Sequence, residues 1–110
     1  MKIKIFEHDM YGDLWFEFEI YKSWENFLFI AEIIENNFGV KVINKIEAIG
    51  NLYEKNGLKF ELAYDLDWGI CLKLLEDRNR NEGEKNYNIL RIFVKEIVKF
   101  IQNNYTNIKT

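Results

Sequence analysis

The strongest folding signal in this sequence is the dipeptide Asn56-Gly57, which separates two stretches of alternating apolar and polar residues. Both residue types tolerate the positive φ angles of a type I′ turn, so the pair predicts a tight β-hairpin. A two-residue turn here places Tyr53 opposite Phe60, which is a favourable cross-strand aromatic pair. The chain is therefore expected to contain an antiparallel β-sheet.

The same alternation predicts about five strands in the whole chain. They cover residues 2–6, 14–21, 41–54, 58–64 and 70–75. We expect the first two to form a hairpin. The third is expected to be interrupted near Gly50, with a β-bulge there, because glycine inside a strand often marks one.

Apolar residues at helical spacing predict two helices. Ser23 suits the N-cap of the first, and Gly39 suits the left-handed residue that follows its last turn. The predicted buried stripe of this helix consists of Trp24, Phe27, Leu28, Ala31, Ile34 and Phe38, broadened by Ile30 and Ile33. A second helix is predicted over about residues 87–103, after a charged loop over 76–86. The stripe of that helix consists of Leu90, Phe93, Val94, Ile97, Val98 and Ile101.

The order of elements is thus ββαβββα, which predicts one α+β domain over residues 1–110, with two helices packed on an antiparallel sheet. At 110 residues and 48% hydrophobic composition, the chain can build one core without a metal or a disulfide. The only cysteine, Cys71, lies in an apolar run and is expected to be buried. The sequence shows no signal peptide and no apolar run of membrane-spanning length, so a cytoplasmic location is expected.

Side chains for nucleophilic catalysis are scarce. Such chemistry needs a serine, threonine or cysteine activated by a neighbouring base. The only serine is Ser23, which is expected to cap a helix, and the thiol of Cys71 is expected to be buried. We therefore expect no catalytic residues and no enzymatic activity.

Metal and cofactor signals are also weak. His8 is the only histidine, which excludes a multi-histidine site. The spacing of Asp65 and Asp67 resembles the start of an EF-hand loop, but Ile70 stands where that loop requires glycine. The sequence contains no glycine-rich phosphate loop. We expect neither a metal site nor a cofactor.

Binding to a protein partner is the remaining class of function. With a net charge of −3, the chain lacks the basic face that binding to nucleic acids needs, so no direct nucleic-acid partner is expected. A tryptophan next to acidic residues, in the turn over 65–68, is typical of an interface anchor. The predicted partner-binding residues are Asp65, Asp67, Trp68, Glu76, Asp77, Glu82 and Glu84. Trp15 and Tyr21, with Glu17 and Glu19, form a further candidate patch unless a helix covers it.

In size, acidic balance and lack of catalytic side chains, the whole chain resembles the immunity proteins of bacterial polymorphic-toxin and contact-dependent growth inhibition systems. The resemblance implies a cytosolic antitoxin that binds a cognate toxin domain, often a basic nuclease, and blocks its active site. Under this interpretation the acidic residues imitate nucleic-acid phosphates and speed association. Trp68 then supplies the apolar anchor.

Two other interpretations remain open. In one, the chain is a structural or regulatory module that self-associates through a sheet edge or through its outer aromatic face. In the other, it binds a small molecule between the sheet and the helices, which requires a deep pocket with converging polar side chains.

Overall fold

The computed structural model describes residues 3–10, 13–75 and 80–105, with residues 10 and 80–83 described by their backbone alone. This part of the chain contains six strands and two helices. In chain order they are β1 (Lys4–Met10), β2 (Asp13–Glu19), α1 (Trp24–Asn37), β3 (Lys41–Ile46), β4 (Gly50–Lys55), β5 (Leu58–Asp65), β6 (Gly69–Leu74) and α2 (Arg80–Asn104). The predicted α+β class and the alternation of strands with helices are confirmed, but the strand count is six rather than five.

The additional strand arises between the helices, where the sequence predicts one long strand over 41–54. The chain instead turns back after β3, with the Ile49 N–H donating to the Ile46 carbonyl at 3.0 Å. Ala48 takes a positive φ of 63° in this turn. Glu47, Ala48 and Ile49 form the turn, so the usual glycine or asparagine signal is absent from it. The irregularity in pairing lies between Val42 and Asn44 of β3, not at Gly50.

All strand pairs are antiparallel, in the order β1-β2-β6-β5-β4-β3. The β1–β2 hairpin is confirmed, and so is the pairing of Tyr53 with Phe60. Asn56 and Gly57 both have positive φ, at 51° and 82°, as a type I′ turn requires. The pairing of β2 with β6 places the N-terminal hairpin beside the last strand of the sheet.

Both helices pack on one face of this sheet. The sheet contributes to their common core Phe16, Phe18, Tyr53, Phe60, Leu62, Ile70 and Leu72, which the strand register places on that face. From α1 the core includes Phe27, Ile30, Ala31, Ile33 and Ile34, and from α2 it includes the whole predicted stripe. Within the described residues the opposite face of the sheet carries no helix, and we call it the open face.

The start of α1 is as predicted, because the Ser23 hydroxyl accepts the Asn26 N–H at 3.1 Å. Gly39 follows the helix with a positive φ of 64°. One predicted core residue is wrong: Leu28 is 47% exposed. The buried face of α1 is centred on Ile30 and Ile34, and Leu28 lies beside it.

The helix α2 begins at Arg80, well before the predicted start near Tyr87. Gly83 and the surrounding charges predict a loop, but arginine, glutamate and lysine are good helix formers. A single glycine costs about 1 kcal/mol in a helix interior, and the rest of a long helix can offset that. Residues 80–86 of the predicted loop therefore belong to the helix, and residues 76–79 lie outside the described residues.

Candidate functional site

The open face brings together side chains from four neighbouring strands. The strand register places His8 opposite Trp15, and Trp15 opposite Lys73. Lys73 in turn lies opposite Glu61 of β5. Because alternate residues of a strand share one face, all of these side chains point away from the helices.

An aromatic cluster occupies this face, and we define the open-face cluster as His8, Trp15 and Trp68. The rings of His8 and Trp15 are stacked, with centroids 5.3 Å apart and an interplanar angle of 18°. Trp68 reaches the same place from the β5–β6 turn, with its ring centroid 4.7 Å from that of His8 and 5.6 Å from that of Trp15. Phe6 lies at the edge of the cluster and is exposed.

Two polar features accompany the cluster. His8 Nε2 lies 2.7 Å from Glu17 Oε1, within hydrogen-bonding distance, which holds the imidazole in place. The indole N–H of Trp15 is buried and has no acceptor among the described residues. An unpaired buried donor is uncommon in proteins, because it loses water without gaining a partner.

The turn that carries Trp68 is held by the carboxylate of Asp65. Its Oδ1 accepts the Asp67 N–H at 2.8 Å and the Trp68 N–H at 3.0 Å, and its Oδ2 lies 3.1 Å from Lys73 Nζ. Burial by itself raises the pKa of Asp65, but the two N–H donors and Lys73 outweigh it and lower the pKa below its ordinary value. Asp65 therefore positions Trp68, and its charge is compensated within the chain.

Cys71 lies beneath the turn and is fully buried, as predicted. Its thiol donates to the Trp68 carbonyl at 3.4 Å. Loss of solvent raises the pKa of this thiol to about 12, with the charges of Asp65 and Glu17 adding to the effect and Lys73 opposing it. At neutral pH the thiol is protonated, which is unfavourable for a nucleophile.

The structure describes the side chains of four of the seven predicted partner-binding residues. Asp65, Asp67 and Trp68 lie together in the β5–β6 turn, where Asp67 is exposed. Glu84 is exposed on α2. Glu76 and Asp77 lie outside the described residues, as does the side chain of Glu82.

The candidate patch at Trp15 and the candidate turn at Trp68 form one surface. Neither helix covers Trp15, which is partly buried, and Tyr21, just beyond β2, is exposed. His8 and Lys73 complete this surface, but sequence reasoning did not connect them with it. The alternation of β2 places Trp15 and Glu17 on one face, whereas the pairing of β2 with β6 has no local sequence signal.

A depression of about 390 Å³ lies beside the open-face cluster. Its lining includes both tryptophans of the cluster together with Asp13, Asp65, Asp67 and Lys73. In the described part of the chain, no three His, Cys, Asp or Glu side chains are grouped so as to hold a metal ion.

No helix within the described ranges is long and apolar enough to cross a membrane. Comparisons of the chain with protein-family models, with curated proteins and with solved structures found no match.

Proposed function

We propose that this chain is a non-enzymatic protein-binding protein, and specifically an immunity protein that neutralises a cognate bacterial toxin domain. The observation that supports this most is the open-face cluster, in which two tryptophans and a histidine pack on a sheet face that neither α1 nor α2 covers. Tryptophan is enriched among the residues that dominate binding energy at protein interfaces.

The cluster is held in place before any partner arrives. Asp65 fixes the backbone of the turn, Glu17 holds His8, and the three rings pack against one another. Side chains that are already ordered lose little conformational entropy on binding, which favours affinity.

Charge at the rim of the cluster favours a basic partner. Asp67 is exposed, and Asp13 lines the same depression. Asp65 and Lys73 compensate each other, so the uncompensated charge in this depression is negative. Complementary charge at an interface speeds association and weakens it as salt rises.

The test is calorimetry between the purified protein and the C-terminal domain encoded by the neighbouring toxin gene, at two salt concentrations. We expect nanomolar affinity that weakens with salt. Trp68→Ala should weaken binding by at least about tenfold, as truncation of an interface anchor does. Asp67→Lys should weaken it too, mainly by slowing association.

The matched control is Glu96→Lys, which makes the same charge change at an exposed position on α2, on the other side of the sheet. If this variant weakens binding as much as Asp67→Lys does, the open face is not the interface. No binding at high micromolar concentration would rule out the pairing with that toxin domain.

A second candidate function, self-association, is favoured by the edge strand β3. All six of its residues are exposed, including the apolar side chains of Val42, Ile43 and Ile46. Exposed apolar edge strands can pair with another chain, whereas edge lysines and bulges oppose pairing. β3 has both, with Lys41, Lys45 and the irregularity after Val42. Sedimentation equilibrium from micromolar to millimolar concentration separates the two functions, because only self-association predicts a dimer without a toxin.

A further inference from the structure

A groove of about 460 Å³ lies between α1 and the β3–β4 end of the sheet, away from the open face. Its apolar wall consists of Trp24, Leu28 and Ala31, which lie on successive turns of α1. Trp24 is held by parallel stacking on Phe27, with ring centroids 4.6 Å apart. Leu28 is half-exposed here, so this wall presents apolar surface to solvent.

The rim of the groove is acidic. Glu32, Glu35 and Glu47 line it, and Lys45 is the one cation among the described residues of the lining. Glu32 and Glu47 are exposed, and neither has an ion-pair partner among the described residues. The groove therefore combines an apolar wall with an excess of negative charge.

Glu35 is fixed from beneath by buried polar groups. The Tyr53 hydroxyl donates to Glu35 Oε2 at 2.6 Å, and Asn51 Nδ2 donates to the same hydroxyl oxygen at 2.9 Å. Tyr53 is fully buried and Asn51 is only 4% exposed. Buried hydrogen-bonded networks of this kind are rigid, so Glu35 presents its carboxylate in one position.

The chain's own Lys45 occupies that carboxylate from the solvent side. Lys45 Nζ lies 2.7 Å from Glu35 Oε1, while the Lys45 side chain is 52% exposed. An exposed lysine pair contributes little to stability, so this contact is easily exchanged. The position of Lys45 Nζ marks where a cation is held in the groove.

We propose that this groove binds a lysine or arginine side chain, next to an apolar residue, from a basic segment of a protein partner. The incoming cation displaces Lys45 from Glu35 and is shared with Glu32 and Glu47. Its apolar neighbour packs on Leu28, and an arginine plane can also stack on Trp24. This surface is separate from the open-face cluster and does not depend on the partner being a toxin.

The test is a titration followed by ¹H–¹⁵N nuclear magnetic resonance, with the acetylated and amidated dipeptide Leu-Arg as the probe. We expect millimolar binding that shifts the Trp24 indole N–H and leaves those of Trp15 and Trp68 unchanged. Lys45→Met should tighten binding by about threefold, because it removes the competing cation. Glu32→Lys should weaken binding by about fivefold.

The matched control is Glu96→Lys, with the same charge change outside the groove, and it should leave the affinity unchanged. The dipeptide Leu-Glu should cause no shift at Trp24. The proposal is overturned if Leu-Glu binds equally well, if Glu96→Lys weakens binding as much as Glu32→Lys, or if Lys45→Met fails to tighten it. The amide spectrum of each variant reports in the same sample whether its fold is retained.

Discussion

Trp68 in the β5–β6 turn packs against His8 on the edge strand β1, with 4.7 Å between the ring centroids. The two residues are far apart in the sequence, and neither β5 nor β6, which the turn of Trp68 connects, is a neighbour of β1 in the sheet. Strand β2 lies between β1 and β6, and its Trp15 ring contacts both side chains, with centroid distances of 5.3 Å to His8 and 5.6 Å to Trp68. A turn residue therefore completes an aromatic surface that three strands support.

This contact predicts that Trp68 contributes to stability as well as to binding. Trp68→Ala removes two aromatic contacts and should lower the free energy of unfolding by about 2 kcal/mol. Leu66→Ala in the same turn is the control, because Leu66 is 87% exposed, and it should change stability by less than about 0.5 kcal/mol. Urea denaturation measures both. Equal losses would mean that the Trp68 ring contributes nothing beyond the turn itself.

Tyr53→Phe tests the hydrogen-bonded network of Asn51, Tyr53 and Glu35, which lies beneath the groove between α1 and the β3–β4 end of the sheet. The substitution leaves the Asn51 amide without its acceptor and Glu35 Oε2 without its donor, so we expect a loss of about 1–2 kcal/mol. Tyr64→Phe is the matched control, since the ring of Tyr64 makes its contacts with Trp24 and Phe27. Chemical denaturation of the two variants should show the larger loss for Tyr53→Phe.

Stability should fall at alkaline pH because of Cys71. Its pKa is raised from 9.0 to about 12 in the folded chain, chiefly by burial. Above pH 9.0 the unfolded thiol loses its proton while the folded thiol keeps it, so ionisation favours the unfolded chain. At about pH 10 this thiol should lower the free energy of unfolding by about 1.4 kcal/mol relative to neutral pH.

The measurement compares the parent chain with Cys71→Ala at about pH 8 and about pH 10. The alanine variant starts from a lower stability, because a buried side chain is truncated, but it should lose less on the change of pH. The two chains differ only at residue 71, so contributions from the rest of the chain cancel in the comparison. Identical losses would show that the Cys71 thiol ionises as readily in the folded chain as in the unfolded one.

Asp65→Asn tests the opposite end of the pH range. The folded pKa of Asp65 is lowered, so its carboxylate stabilises the fold above the ordinary value of 3.8. That contribution is lost as the pH falls through the lower folded pKa. The variant should therefore be less stable than the parent at neutral pH, by about 1 kcal/mol, and the gap should narrow in acid. Asp67→Asn, at an exposed position, should show no such gap in thermal unfolding across the same range.

Gly50→Ala should destabilise the β4–β5 pair. A Cβ at this position would lie 2.8 Å from the Leu62 carbonyl oxygen and 3.3 Å from Ala63 Cα. Both are backbone atoms of a central strand and cannot move without disturbing the sheet, so we expect a loss of about 1–3 kcal/mol. An unchanged midpoint in urea would show that β5 yields at this point.

Several elements could be predicted from the sequence because their causes are local. The Asn56-Gly57 turn depends on the φ preferences of two adjacent residues, and the start of α1 depends on the Ser23 hydroxyl. The stripe of α2 follows from its 3.6-residue period, and the burial of Cys71 follows from its apolar neighbours.

Other features escaped the sequence because they depend on competition between distant segments. The turn at Ala48 contains no glycine or proline, and sheet pairing imposes its positive φ. Leu28 is apolar, but α1 packs on the sheet through a neighbouring stripe. Leu28 therefore stays half-exposed in the apolar wall of the groove beside α1. Local composition predicts neither outcome, since the same residues suit several packings.

By itself, therefore, the sequence determined which segments alternate between apolar and polar residues, which segments have the helical period, and where the Asn56-Gly57 hairpin lies. Only the tertiary structure decided that β6 pairs with β2, because any half-buried strand offers the same backbone donors and acceptors to a neighbour. That pairing joins Trp15, His8 and Trp68 into one surface. Packing of whole faces selects the strand order, and the candidate binding surface is a consequence of it.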